Sequence, residues 1–257
     1  MIRLDSISAL CKGITPLFNH LFSLDAYGSY ALLTGLICGY PMGAKITADL
    51  LREKKLSPSC AMYLFAVCNN VSPMFLLGYT ITQSLQCQEH RYAMLLIIYG
   101  TPLIYAFFTK PSHHYAQNHV TPTAAARPAI SFQMVDDSIM NGFETITRLG
   151  GYIILFAIIS KMVTARLPAV TISKHLIIGL IEITNGIHSI GTSTLPMTWK
   201  IPLATCIISL GGLSGLAQTK SMIQGTSLSL RHYIHTKLRI TVISTLVSVA
   251  YCQLFIA

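Results

Sequence analysis

Charge is scarce in this sequence: 18 Lys and Arg and 9 Asp and Glu make up only 11% of 257 residues. Soluble domains carry about 25%, so an ordinary water-soluble enzyme is excluded. Paired cysteines are also lacking. None of Cys11, Cys38, Cys60, Cys68, Cys87, Cys206 and Cys252 forms a C-x-x-C pair, and most lie in apolar segments, where cysteine acts as a small hydrophobe. Nucleophile-elbow, H-E-x-x-H and Walker A motifs are missing too, so neither hydrolytic machinery nor an ATP-driven pump is expected. No enzyme, cofactor or metal site is expected; His113, His114 and His119 cluster without a nearby cysteine or carboxylate.

What is present is apolar length. No charged residue occurs in 26–44, 56–88, 92–109, 201–219 or 240–257, and the mean hydropathy is +0.57. A bilayer-spanning helix needs roughly 18 to 20 such residues. The fold class is therefore all-α, a polytopic membrane protein whose first partner is the lipid bilayer. The net charge of +9 falls in punctuation between these runs rather than in a patch with aromatics. It reads as span-flanking charge, not nucleic-acid binding. Arg3, Asp5 and Lys12 interrupt the start, so no cleavable signal peptide is expected.

Three prolines, three histidines and no periodicity mark 111–131 as a polar loop. It divides the chain into membrane halves 1–110 and 132–257. The first 25 residues suit an interfacial helix. The run from Ala26 is broken at Gly39-Tyr40-Pro41-Met42-Gly43, the next at Asn69-Asn70-Val71-Ser72-Pro73, and the one from Ile201 at Gly211-Gly212-Leu213-Ser214-Gly215. Tyr92–Thr109 is the cleanest span. In the second half the amphipathic stretch 132–148 precedes a span over 149–162. A shift of 172 residues lays Gly39, Gly43, Thr47, Leu56 and Ser57 on Gly211, Gly215, Thr219, Leu228 and Ser229. Gly/Pro-interrupted apolar segments at matching positions of two halves point to the binding site of a transporter built from inverted repeats.

A broken helix in hydrocarbon leaves N–H and C=O groups that protein, water or a ligand must satisfy. The breaks are therefore where a substrate site is expected, with helix N-termini suited to an anion. Gly39, Pro41, Gly43 and Lys45 form the first element of that site. Asn69, Asn70 and Ser72 form the second. Glu182, the acid in an otherwise uncharged stretch, forms the third with Thr184 and Asn185. Gly211, Gly212, Ser214, Gly215 and Gln218 form the fourth. Each has a plainer reading: Lys45 snorkels to the interface, the Asn pair bonds between helices, and the glycines pack helices closely.

These four motifs, GYPMGAK at 39–45, FAVCNNVSPMF at 65–75, LIEITNG at 180–186 and LGGLSGLAQ at 210–218, resemble the YlbJ/SpoVV-type sporulation integral membrane proteins. The resemblance implies the nucleoside-recognition "gate" superfamily, a fold similar to concentrative nucleoside transporters, and a bacterial endospore former. It further implies a secondary transporter of a small anionic solute, dipicolinic acid, in the bacterial cell membrane or outer forespore membrane. The family carries additional N-terminal helices, so the chain reads as shortened. Two alternatives stand beside it: a nucleoside or small-metabolite transporter of the same fold, and a non-transporting scaffold of spore development. A coupling ion and a homo-oligomer are both compatible with such a carrier. Arg52, Lys54 and Lys55 mark one cytoplasmic connection, and Lys220, Arg231, Lys237 and Arg239 mark another. Inverted repeats in the 172-residue register place these on opposite sides, unless 175–190 is a re-entrant hairpin.

Overall fold

A computed structural model describes residues 11, 13–110, 131–166 and 172–256, and every regular element among them is helical. A short helix α1 (Thr15–Phe22) lies at 93° to α2 (Ala26–Cys38). Then come α3 (Met42–Arg52), α4 (Pro58–Val67) and α5 (Phe75–Leu85), the last wound as a π-helix. The span α6 (Gln88–Thr109) is followed by α7 (Phe132–Thr164), α8 (Ile172–Ile181) and α9 (Ile183–Gly191). The chain closes with α10 (Met197–Leu210), α11 (Gly212–Met222) and α12 (Leu230–Phe255). Among the described residues, four helices are long and apolar enough to cross a membrane: α6, α7, α12, and α10 with α11 counted as one. The chain is an all-α polytopic membrane protein.

Local sequence explains where these helices begin. Asp25 accepts from the Gly28 N–H at 2.7 Å and starts α2. Ser57, Ser131 and Ser229 cap α4, α7 and α12 in the same way, and Pro58 follows its cap at the first helical position, where a missing N–H costs nothing. Gly39, at φ +77°, lets α2 end and the chain reverse into α3. The return is a hairpin, for the Lys55 ammonium reaches back over the Tyr27 ring at 5.2 Å. A second hairpin joins α8 and α9 through the single extended residue Glu182. His175 Nδ1 lies 2.8 Å from Ser189 Oγ across it, and Gly186 abuts Gly179. The stretch 175–190 therefore folds as a helical hairpin rather than as one straight span.

The order hairpin, broken helix, long span thus occurs twice, as α2/α3, α4/α5, α6 and as α8/α9, α10/α11, α12. The two hairpins open toward opposite ends of the molecule. Arg52, at the open end of the first, donates to Met222 O at 3.0 Å and Gln224 O at 2.6 Å, capping the C-terminus of α11. Gly191, at the open end of the second, abuts Ser84 at the end of α5, and its carbonyl accepts from Lys200 Nζ at 2.8 Å. This corrects the 172-residue register, which lays the hairpin α2/α3 on the bent span α10/α11. Elements of the same kind instead recur about 142 residues apart, as the starts of α6 at Gln88 and α12 at Leu230 show.

The same contact removes the conflict between the two basic connections. Arg52 touches the turn after α11, so Lys54, Lys55, Lys220 and Arg231 gather at one face. The amphipathic stretch 132–148 and the span after it form one continuous helix, α7, which packs chiefly against α8 and α11 and otherwise exposes an apolar surface. The loop at 111–130 and the His113, His114 and His119 cluster lie outside the described residues.

Two outcomes test this arrangement. With the native cysteines replaced, Lys54→Cys and Ser227→Cys label with a membrane-impermeant maleimide from the same side, and Thr194→Cys from the opposite side. Labelling of residues 54 and 227 from different sides refutes the fold. Gly35 and Gly43 face Cys68 O, where a methyl at Gly43 meets the oxygen at 2.7 Å. Gly35→Ala therefore destabilises by about 1–3 kcal/mol through overpacking, read as a lowered Tm. Gly150→Ala, inside α7 with open space around it, keeps or raises the Tm.

Candidate functional site

Four chain breaks meet and line one half-open cavity of about 170 Å³. Tyr40 enters from the first hairpin tip, Val71, Ser72 and Phe75 from the break between α4 and α5, and Glu182, Ile183 and Thr184 from the second tip. Gly211, Ser214, Gly215 and Gln218 come from the start of α11, and Ile153 of α7 completes the wall. Residues up to 178 positions apart in sequence thus share one space only because two hairpins and two broken helices end there.

Helix ends set the electrostatics. The N-termini of α3, α5, α9 and α11 all arise at these breaks, each bringing partial positive charge. Glu182, 3% exposed, places Oε2 2.8 Å from the Asn185 N–H and caps α9. Ser72 Oγ accepts from Phe75 N at 3.3 Å and caps the start of α5. No side chain caps α11, whose N-cap is Gly211 at φ +85°. Gly215 in its first turn has open space where a side chain would project. Gln218 Nε2 donates to Ser214 Oγ at 3.0 Å along the same wall.

Behind the cavity lies a buried polar network. Asn69 donates through Nδ2 to Thr219 Oγ1 and Tyr233 Oη, both at 3.0 Å, and accepts from Ala44 N at 3.4 Å. Asn70 donates to Val67 O at 2.7 Å, its backbone carbonyl accepts from Tyr40 N at 2.6 Å, and its Oδ1 accepts from Lys237 Nζ at 2.8 Å. The fold thereby joins the first hairpin, the α4/α5 break, α11 and α12 at one point.

Among the residues singled out from sequence, Ser72, Glu182, Thr184, Gly211, Ser214, Gly215 and Gln218 line the cavity. Asn69 and Asn70 stand one layer back. Gly39 packs on Ser72, Gly43 on Cys68 and Asn69, and Gly212 on the carbonyls of Gly179 and Leu180. Pro41 is buried at the hairpin tip, joined to Tyr40 by a cis peptide bond. Asn185 gives its backbone N–H to Glu182 while its side-chain Nδ2 is unpartnered among the described residues. Lys45 lies elsewhere. It pairs with Asp49, one turn further along α3, at 2.8 Å in a charged recess with Arg52, Glu144 and Arg148.

Tyr40, Val71, Phe75, Ile153 and Ile183 also line the cavity, and sequence reasoning did not select them. Lys237 was read among span-flanking charges, yet it is 1% exposed and lies two turns inside α12. Arg231, His232, His235 and Arg239 surround it in the sequence, so its burial had no local signal.

No family model matches the sequence, and no solved structure matches the fold. Over most of its length the chain is similar to the sporulation integral membrane protein YlbJ of Bacillus subtilis strain 168. The two are 20% identical over 261 aligned residues, which cover 88% of this chain and 64% of that protein. The chain thus spans just under two-thirds of the relative's length, and the likeness supports distant, YlbJ-like homology.

Proposed function

We propose that this chain is a secondary transporter of a small anionic solute acting in sporulation, with dipicolinic acid as the cargo. The convergence of all four breaks on one cavity carries this reading. A pure membrane anchor has no use for unsatisfied helix ends at mid-depth, whereas a carrier needs a site there between two repeats. The two hairpins, opening toward opposite ends, support an inverted-repeat architecture for that carrier. The name of the similar protein supports a role in spore development, and the outer forespore membrane is the place such a carrier acts.

Size and charge favour an anion of one ring. A protein cavity of about 150 Å³ holds a benzene-sized molecule, so the ≈ 170 Å³ here accepts a single-ring solute. The free N-terminus of α11, with Gly215 leaving room beside it, receives a carboxylate through backbone N–H groups. A carboxylate at Glu182, which also lines the cavity, repels such a cargo unless a cation accompanies it. A proton or sodium ion at Glu182 fills that role and makes this residue the coupling site. A nucleoside carrier would instead use Ser72, Thr184 and Gln218 for ribose and base, and a scaffold would leave the cavity idle.

Gly215→Leu tests the assignment, because its side chain projects into open space and fills the cavity without displacing its neighbours. In proteoliposomes the wild type takes up radiolabelled dipicolinate, and Gly215→Leu falls below about a tenth of that rate while keeping its Tm. In an endospore former lacking the gene, spores lose dipicolinate, and wild type but not Gly215→Leu restores it. Normal dipicolinate in the deletion strain refutes the cargo. Full restoration of spore development by Gly215→Leu favours the scaffold.

A further inference from the structure

The amine of Lys237 is enclosed as completely as any large side chain in the protein. Among the described residues no carboxylate pairs with it. Its contacts are the 2.8 Å hydrogen bond to Asn70 Oδ1 and the Tyr233 ring, whose centroid lies 5.8 Å away. A buried ammonium without a counter-ion is costly, and a merely structural donor to Asn70 needs no charge, since a glutamine amide serves as well. An anion bound in the adjacent cavity supplies the counter-ion that the described residues lack.

Asn70 shows where that charge is directed. Its amide is held on one side by Val67 O and on the other by Lys237, and its backbone carbonyl accepts from Tyr40 N. Tyr40 and the next two residues along the chain, Val71 and Ser72, form the cavity wall. One residue thus separates the ammonium from the wall. No cationic side chain lines the cavity itself, and the carboxylate that does, Glu182, stands on a different hairpin. The field of Lys237 reaches the cavity through protein rather than water, where screening is weak.

We propose that Lys237, held by Asn70 behind the Tyr40–Ser72 wall, is the charge-selecting residue of the central cavity, a positioning residue that favours a carboxylate solute over a neutral one of the same shape. The proposal rests on the cavity being a solute site, and it deepens that reading by assigning the source of its charge preference. Unlike a ligand-contacting cation, Lys237 acts at one remove and sets the preference without fixing the pose.

The measurement uses two probes of one shape, pyridine-2,6-dicarboxylate and the neutral pyridine-2,6-dicarboxamide, titrated calorimetrically into the full chain in lipid nanodiscs. The wild type binds the dicarboxylate at least about tenfold more tightly than the diamide, the scale expected of a unit charge acting across a partly desolvated wall. Lys237→Met loses that preference while its affinity for the diamide is maintained, and Lys237→Arg restores it. Unchanged preference in Lys237→Met overturns the proposal. So does parallel loss of both probes in Lys237→Met with Lys237→Gln keeping the wild-type preference, because it assigns the lysine a purely structural role. If the wild type binds neither probe, the central-cavity reading falls, and the charge-selection proposal with it. If Lys237→Met fails to fold, the Lys237→Gln titration decides between these outcomes by the same criterion.

Discussion

Unsatisfied backbone at mid-membrane is the constraint on which the architecture depends. Each helix break frees N–H and C=O groups that hydrocarbon cannot solvate, and every such group left bare costs several kcal/mol by order of magnitude. The fold meets this by bringing the breaks to one another. Tyr99 donates to Val71 O at 2.8 Å, Tyr79 to Thr184 O at 3.0 Å, and Tyr40 to Ile208 O at 3.4 Å. Three tyrosines thus hold carbonyls at three breaks. Asn69 and Asn70 serve the first hairpin and the end of α4. Removing one break would leave its partners bare, so the cavity and the fold are stabilised by the same bonds.

Close approach makes those bonds reachable. Gly35, Gly39 and Gly43 lie at four-residue intervals and bring the first hairpin against the segment from Cys68 to Ser72. Gly179 and Gly186 do the same within the second hairpin, and Gly191 against α5. In a bilayer, where apolar burial gives little drive between helices, small residues let van der Waals contact and hydrogen bonds supply it. The glycines read from sequence as site elements are mostly the means by which the site is assembled. Gly211 and Gly215 are the ones that also face its interior.

Helix ends line most of the cavity, and Ile153 of α7 adds a side chain from a further helix. That helix packs chiefly on α8 and α11 and presents most of its apolar residues outward. The wall least fixed by hydrogen bonds is therefore the one nearest the lipid. Local opening is drawn from weakly packed elements, and α7 answers that description better than either hairpin.

The sequence by itself determined the solvent, the helix class and the places where helices fail. Too few charges exist for water, and Pro41, Pro73, Gly39 and Gly211 disrupt regular helix wherever a pattern continues around them. Six or more of the residues facing the cavity were legible because polar groups in apolar runs need partners. Tertiary structure alone decided which breaks meet, on which side each hairpin opens, and which charges are buried. Lys45 and Lys237 show why: each is a lysine beside an apolar run, and the path of α3 carries one to the basic face while the packing of α12 encloses the other. Charge and spacing are local properties of a chain, but the surroundings of a charge depend on elements more than a hundred residues away.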